Sequence, residues 1–142
     1  MDINGTTLEE LSREQCLWLM GQVPLGRIVY TRQALPAVEL VNFALDDGDI
    51  VIRTDAGGKL AAATRGAVVA FDADSVDLAA HAGWSVTVVG YSRAVVDVEE
   101  IRNLQQGALV PWAPGNRDHF IRISPTFVTG RRLTGDGDAG SV

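Results

Sequence analysis

Apolar residues fall along this chain in short bursts separated by turn-forming residues, the rhythm of a β-rich domain. Leu25 to Thr31 reads as a strand, with Ile28, Val29 and Tyr30 favouring the extended state. Pro36 introduces a longer strand, Ala37 to Leu45, which closes on Asp46-Asp47-Gly48-Asp49. An Asp-Gly pair between two apolar runs predicts a tight hairpin, with Ile50 to Thr54 as the return strand. Ala67 to Asp72 and Trp84 to Val96 follow, joined by a polar loop with a small alanine cluster, and Phe120 to Ile123 and Phe127 to Leu133 come last. Helices are predicted over Thr6 to Gln22, Lys59 to Thr64, and Asp97 to about Gln106. In the first, Ser12 and Gln15 form a capping box, Cys16, Leu17, Leu19 and Met20 give an apolar face that packs Trp18 inward, and Gly21 and Pro24 stop the helix. Asp97 with Glu100 caps the last one. Pro111 to Gly115 cannot be regular structure.

About seven strands with a few short helices, and no βαβ crossovers, point to a mainly β barrel rather than a doubly wound fold. The alternation is mixed, as suits strands covered by helices and by a partner subunit. At 142 residues the chain is one domain by length, expected over residues 1–133, with a disordered tail over 134–142. A net charge of −6 leaves no basic footprint for nucleic acid. No apolar run suits a membrane span, and the polar start from Met1 to Glu10 does not resemble a signal peptide. Cys16 stands alone, so a reducing, cytoplasmic setting is expected.

Chemistry concentrates in Arg53-Thr54-Asp55-Ala56-Gly57-Gly58-Lys59. A strand ends in an arginine, two glycines let the backbone turn, and the chain's only lysine opens a helix. Glycine admits an anion close to the main chain, a helix start offers free N–H groups, and guanidinium forks onto phosphate oxygens. The stretch reads as a monophosphate site, although neither the P-loop nor the dinucleotide fingerprint is present. A plain Gly-Gly turn between solvated charges is the alternative.

The ordered set Gly26-Arg27-Ile28-Val29-Tyr30-Thr31, Leu35-Pro36-Ala37-Val38, Val41-Asn42-Phe43, Arg53-Thr54 and Gly57-Gly58-Lys59 resembles the small pyridoxamine 5'-phosphate oxidase-like proteins. Gly83-Trp84-Ser85-Val86 through Gly90, Pro111-Trp112, and Val128-Thr129-Gly130-Arg131 continue the match, which spans Leu11 to Leu133. The resemblance implies a split β-barrel that forms a homodimer and holds FMN in a groove between subunits. It implies Arg53, Thr54, Gly58 and Lys59 around the phosphate, and Leu40, Val41 and Asn42 as a strand whose backbone faces the isoalloxazine. Trp84 and Ser85 are then near the ring or ribityl chain, with Trp112 reaching in from the partner, although Trp84 inside an apolar strand reads equally as plain core. The deazaflavin F420 is the alternative cofactor, since its phosphate-bearing chain could use the same turn.

The chain departs from that pattern at Glu39, where the resemblance implies an arginine. Counting strand register back from Arg53-Thr54 puts this carboxylate beside the phosphate, where it would repel it and weaken cofactor binding, unless it points away or pairs with Arg53. His81 and His119 are the only histidines, and no spacing suggests a metal. Haem, bound by some relatives of the barrel, would need a ligand such as His119; a surface histidine is the plainer reading. No second basic set for a substrate phosphate is apparent, so pyridoxamine 5'-phosphate oxidase activity itself is not expected. Two classes remain: a flavin- or deazaflavin-dependent oxidoreductase of a small molecule, and a non-catalytic flavin- or haem-binding or interaction protein.

Overall fold

The structure, a computed structural model, describes residues 2–3, 6–54, 59–107, 109–112 and 119–135. In chain order the elements are β1 (Asp2–Ile3), β2 (Thr6–Glu10), α1 (Arg13–Met20), β3 (Leu25–Arg32), β4 (Leu35–Asp46) and β5 (Asp49–Thr54). There follow α2 (Lys59–Thr64), β6 (Val68–Asp77), β7 (Ala82–Ala94), α3 (Val98–Gln105), β8 (His119–Ile123) and β9 (Phe127–Thr134). All strand pairs are antiparallel. Six of these strands close a barrel in the order β7-β6-β3-β4-β5-β8, with β8 returning to β7, while β9, β2 and β1 extend from its side. This is the split β-barrel expected from the sequence.

Closure depends on β7 serving two neighbours. Gly83 to Val89 pair with β9, whereas Ser92 to Ala94 pair with β8. Between them lies Gly90, where a Cβ would come 1.7 Å from the Ser124 carbonyl oxygen. Only glycine allows that approach. At the other end of the sheet, Asp47 and Gly48 turn the β4–β5 hairpin with φ of 50° and 83°, the left-handed pair that an Asp-Gly turn supplies.

Alternation along the strands sets the two faces of the wall. Ile28, Ile50, Ile52, Phe71, Val86, Val88, Ile121 and Ile123 point inward and are fully buried. Cys16 and Met20 of α1, and Leu60 and Ala61 of α2, join the same cluster. On the outer face of β5 and β8, a second cluster of Val51, Val95, Leu109 and Phe120 lies under Ile101 and Leu104 of α3. Beside it, buried Arg122 bonds Asp46, Asp49 and Glu100, tying the hairpin to α3. Burial alone would raise the Glu100 carboxyl, but Arg93 and Arg122 outweigh it and hold the group below its ordinary value.

Several expectations are corrected. The predicted helix over Thr6 to Gln22 begins only at Arg13, capped by Ser12 and Gln15 as expected; Thr6–Glu10 is instead an edge strand on β9. Trp18 is 66% exposed rather than packed. The loop expected between the sixth and seventh strands shrinks to a short turn at 78–81, because polar Asp74, Ser75 and Asp77 still pair with β7. β9 runs through Thr134, opposite Thr7. The remainder of the expected tail, 136–142, and the Ala113 to Gly115 part of the irregular segment lie outside the described residues.

Candidate cofactor site

On β4 the outward positions include Leu40 and Asn42, while Val41 and Phe43 turn toward the core. Phe43 pairs with Ile52 on β5. Antiparallel register therefore sets Asn42, one residue before Phe43, next to Arg53, one residue after Ile52, on the outer face. Asn42 accepts a hydrogen bond at Oδ1 from the Trp112 N–H at 2.9 Å, and its Nδ2 donates to the Pro24 carbonyl at 3.5 Å. Arg53 donates from Nη1 to the Leu109 carbonyl at 3.1 Å and lies 5.3 Å from the centre of the Phe120 ring. Two strands and the segment 109–112 thus bring Leu40, Asn42, Arg53 and Trp112 to one surface. Trp112 remains largely exposed there.

The neighbouring donors fall differently. Thr54 has the inward parity of Ile50 and Ile52, is 5% exposed, and its Oγ1 has no hydrogen-bond partner among the described residues. Lys59 opens α2, a helix of six residues. Gly58 lies outside the described residues. Trp84 and Ser85, expected together near the flavin, take opposite faces of β7: Trp84 packs on the core, and Ser85 points outward. Ser85 lines a polar cleft of about 450 Å³ with Thr87, Thr129, Glu10 and Arg131.

Of the alternatives for Glu39, the structure has the side chain pointing away from the face that carries Arg53. Glu39 pairs with inward-facing Ile28, so it shares the face of Val41 and Phe43 and lies opposite to Asn42 and Arg53. Its carboxylate accepts a 2.9 Å hydrogen bond from the Tyr30 hydroxyl. Burial first, and then Glu39, push the Tyr30 phenol above its ordinary pKa, with Arg32 opposing. The strand register counted in the sequence reached the right neighbourhood but the wrong side of the sheet.

A separate cavity of about 370 Å³ opens between α2, α3 and the start of β8. Its apolar wall includes Ala62, Val95, Val96 and Ile101, and its polar groups are Arg65 and His119. Neither Arg65 nor Leu109, whose carbonyl accepts from Arg53, stands out in the sequence as a candidate residue. Arg65 was detectable, since it follows Ala61 and Ala62 at helical spacing and so shares their side of α2. Leu109 meets Arg53 through a long-range contact that carries no local signal.

The family description for pyridoxamine 5'-phosphate oxidase matches residues 12–132, and the chain belongs to that family. It is 39% identical over 132 residues to an uncharacterised protein of Mycobacterium tuberculosis, covering 89% of this chain and 86% of that one. Its fold is similar to that of an FAD-binding protein from Mycobacterium smegmatis, with a TM-score of 0.74 and 35% identity over 88% of this chain and 98% of the other. A protein from Corynebacterium glutamicum named for the same oxidase superposes with a TM-score of 0.76 and 32% identity, covering 94% and 97% of the two chains.

Proposed function

We propose that this chain binds a flavin and uses it as an oxidoreductase acting on a small molecule. The flavin is held by the portion that FMN and FAD share, on the outer face of β4 and β5. The observation that carries this reading is the convergence of Asn42, Arg53 and Trp112 on one exposed surface, beside a strand end whose Thr54 hydroxyl lacks a partner. That donor set fits a phosphate-bearing ring system: a guanidinium, a buried hydroxyl, the lysine that opens α2, and an indole for the ring. The FAD bound by the mycobacterial relative supports it.

In this reading Arg53, Thr54 and Lys59 bind the phosphate. Leu40 and the backbone of Val41 and Asn42 lie along the ring, and Asn42 is a positioning residue that fixes Trp112 through its main-chain N–H. When bound, the flavin supplies electron transfer and the protein supplies orientation and electrostatics. The Glu39 carboxylate, occupied by Tyr30 on the opposite face, does not oppose the anion.

The chain acts as a homodimer in this account. Val38, Val29, Ala70, Val89 and Phe127 stand directly opposite one another across adjacent strands, forming an apolar row on the outer wall. Val86 and Val88 fill the barrel, whereas Val38 and Phe127 at the two ends of this row are exposed. A second copy is the occupant proposed for it. The single cysteine, buried and unpaired, fits the reducing environment of a cytoplasm.

The test is an absorption spectrum of the purified chain alone, then titrated with FMN, FAD and the deazaflavin. A perturbed flavin spectrum that bleaches on reduction is expected. A spectrum equal to that of the free cofactor in all three titrations would refute the reading, and a response to the deazaflavin alone would replace the cofactor.

A further inference from the structure

We propose that the cleft between β7, β9 and the end of β2 is a binding site for a small zwitterion of the α-amino-acid type, separate from the flavin site. Strand register assembles it. Ser85 stands opposite Arg131 and Thr87 opposite Thr129 across β7 and β9, and Arg131 in turn stands opposite Glu10 on β2. Residues two apart on a strand share a face, so these side chains all project from the same side of the sheet. That side is the outer one, because Val86 and Val88, which alternate with Ser85 and Thr87, are fully buried in the barrel. Directly opposed side chains begin about 5 Å apart, so a small molecule can touch charges and hydroxyls together. The cleft they line holds about 450 Å³, within the range of small-molecule sites.

Among the described residues, no hydrogen bond or ion pair engages the side chains of Glu10, Ser85, Thr87, Thr129 and Arg131. Their sequence neighbours behave differently: Glu9 and Arg132, on the other face, meet in an ion pair at 3.4 Å. Glu10 and Arg131 stand in the same register relation and leave their charges to the cleft. That pair of opposite charges selects the ligand. A guanidinium forks onto a carboxylate, the three kinds of neighbouring hydroxyl donate or accept beside it, and Glu10 accepts from an ammonium. A phosphate dianion satisfies Arg131 but is repelled by Glu10 on the adjoining strand. A polyol meets the hydroxyls and leaves both charges unused. A molecule with an amine on the carbon next to its carboxylate satisfies them all. Being neutral overall, it also meets no repulsion from a chain of net charge −6, whereas an anion does. The apolar row begins two residues away, at Val89 and Phe127, so the cleft opens at the border of the face assigned to a second copy.

The experiment is calorimetric titration of the full chain with L-serine, N-acetyl-L-serine, ethanolamine and inorganic phosphate, as wild type, Arg131→Ala and Glu10→Gln. L-serine is expected to bind wild type with a Kd of about 1 mM or tighter. N-acetyl-L-serine lacks the ammonium and ethanolamine the carboxylate. Each should bind roughly fivefold to tenfold more weakly, one charge-assisted contact in an exposed cleft being worth that much. Arg131→Ala should weaken L-serine by the same factor. Glu10→Gln should also weaken L-serine but strengthen phosphate, a reversal that a merely structural role would not give. Both positions are exposed, so the circular dichroism spectrum should stay native. FMN affinity should stay within about twofold in both variants, since β6, β3 and β4 separate β7 from Arg53 on β5. No binding of L-serine by folded wild type, phosphate bound more tightly than L-serine, or unchanged L-serine affinity in both variants would overturn the inference. So would a loss of FMN affinity in Arg131→Ala matching its loss of L-serine, which would give the cleft to the flavin. The L-serine and phosphate outcomes do not depend on FMN, so they decide the proposal whether or not the flavin reading holds.

Discussion

Replacing Glu39 by arginine distinguishes the two faces of β4. If the carboxylate lay beside the phosphate, the change would turn repulsion into attraction and tighten flavin binding, with a gain that shrinks as salt rises. The structure puts Glu39 on the inner side, bonded to Tyr30, whose ring is 5% exposed. The substitution therefore removes the acceptor of a buried phenol and sets a second cation near Arg32, which already acts on that phenol. A hydrogen bond to a charged group is worth about 1.5–3 kcal/mol, and because Glu39 is exposed, screening keeps the loss near 1–2 kcal/mol. For a chain of this size that is a fall in Tm of roughly 3–6 °C. Thermal unfolding followed by circular dichroism measures the loss, and FMN titration at low and high salt measures the ligand. Glu39→Gln, which keeps an acceptor, should recover most of the stability. A salt-sensitive gain in FMN affinity for Glu39→Arg, with unchanged Tm, would refute the assignment of faces.

Other consequences are as direct. Glu100 has its carboxyl depressed by Arg93 and Arg122, so its stabilisation is complete above the ordinary carboxylate value of about 4.3 and is lost as pH falls through the lower folded value. Glu100→Gln should thus destabilise the chain by about 1–2 kcal/mol at neutral pH and by little in acid, as read from urea unfolding across pH. Ala34 turns the β3–β4 hairpin at φ 66°, and Ala34→Gly should raise stability by about 1 kcal/mol in the same assay. Phe127→Asp places a charge at the end of the exposed apolar row and should shift a dimer to monomer by light scattering, with the circular dichroism spectrum unchanged.

Where the sequence spoke locally, it spoke correctly. The Asp47-Gly48 turn, the Ser12–Gln15 capping box, the Asp97 cap and the helix from Lys59 to Thr64 each rest on neighbours in the chain, and each is present. The β3–β4 hairpin gave no such signal, because Gln33 and Ala34 adopt positive φ without glycine or asparagine. β2 was hidden for another reason. Thr7, Glu9 and Glu10 have little to bury, and the strand exists because it adds to β9, where Glu9 meets Arg132 in an ion pair. The candidate site was legible as residue types, Arg53 from its strand end and Asn42 and Trp112 from the family resemblance. Their faces were not. A long strand reverses every side chain with a single step of register, and only the pairing of Phe43 with Ile52 fixes which way Glu39 and Asn42 point.

The central claim is that a flavin phosphate is held at Arg53. Its most direct measurement is the FMN affinity of wild type and Arg53→Ala, with circular dichroism confirming that both are folded. The account predicts measurable binding by wild type and a loss of about 1.5–3 kcal/mol in the variant, roughly ten- to hundredfold. The same FMN affinity in both proteins, or no FMN binding by folded wild type, would contradict it.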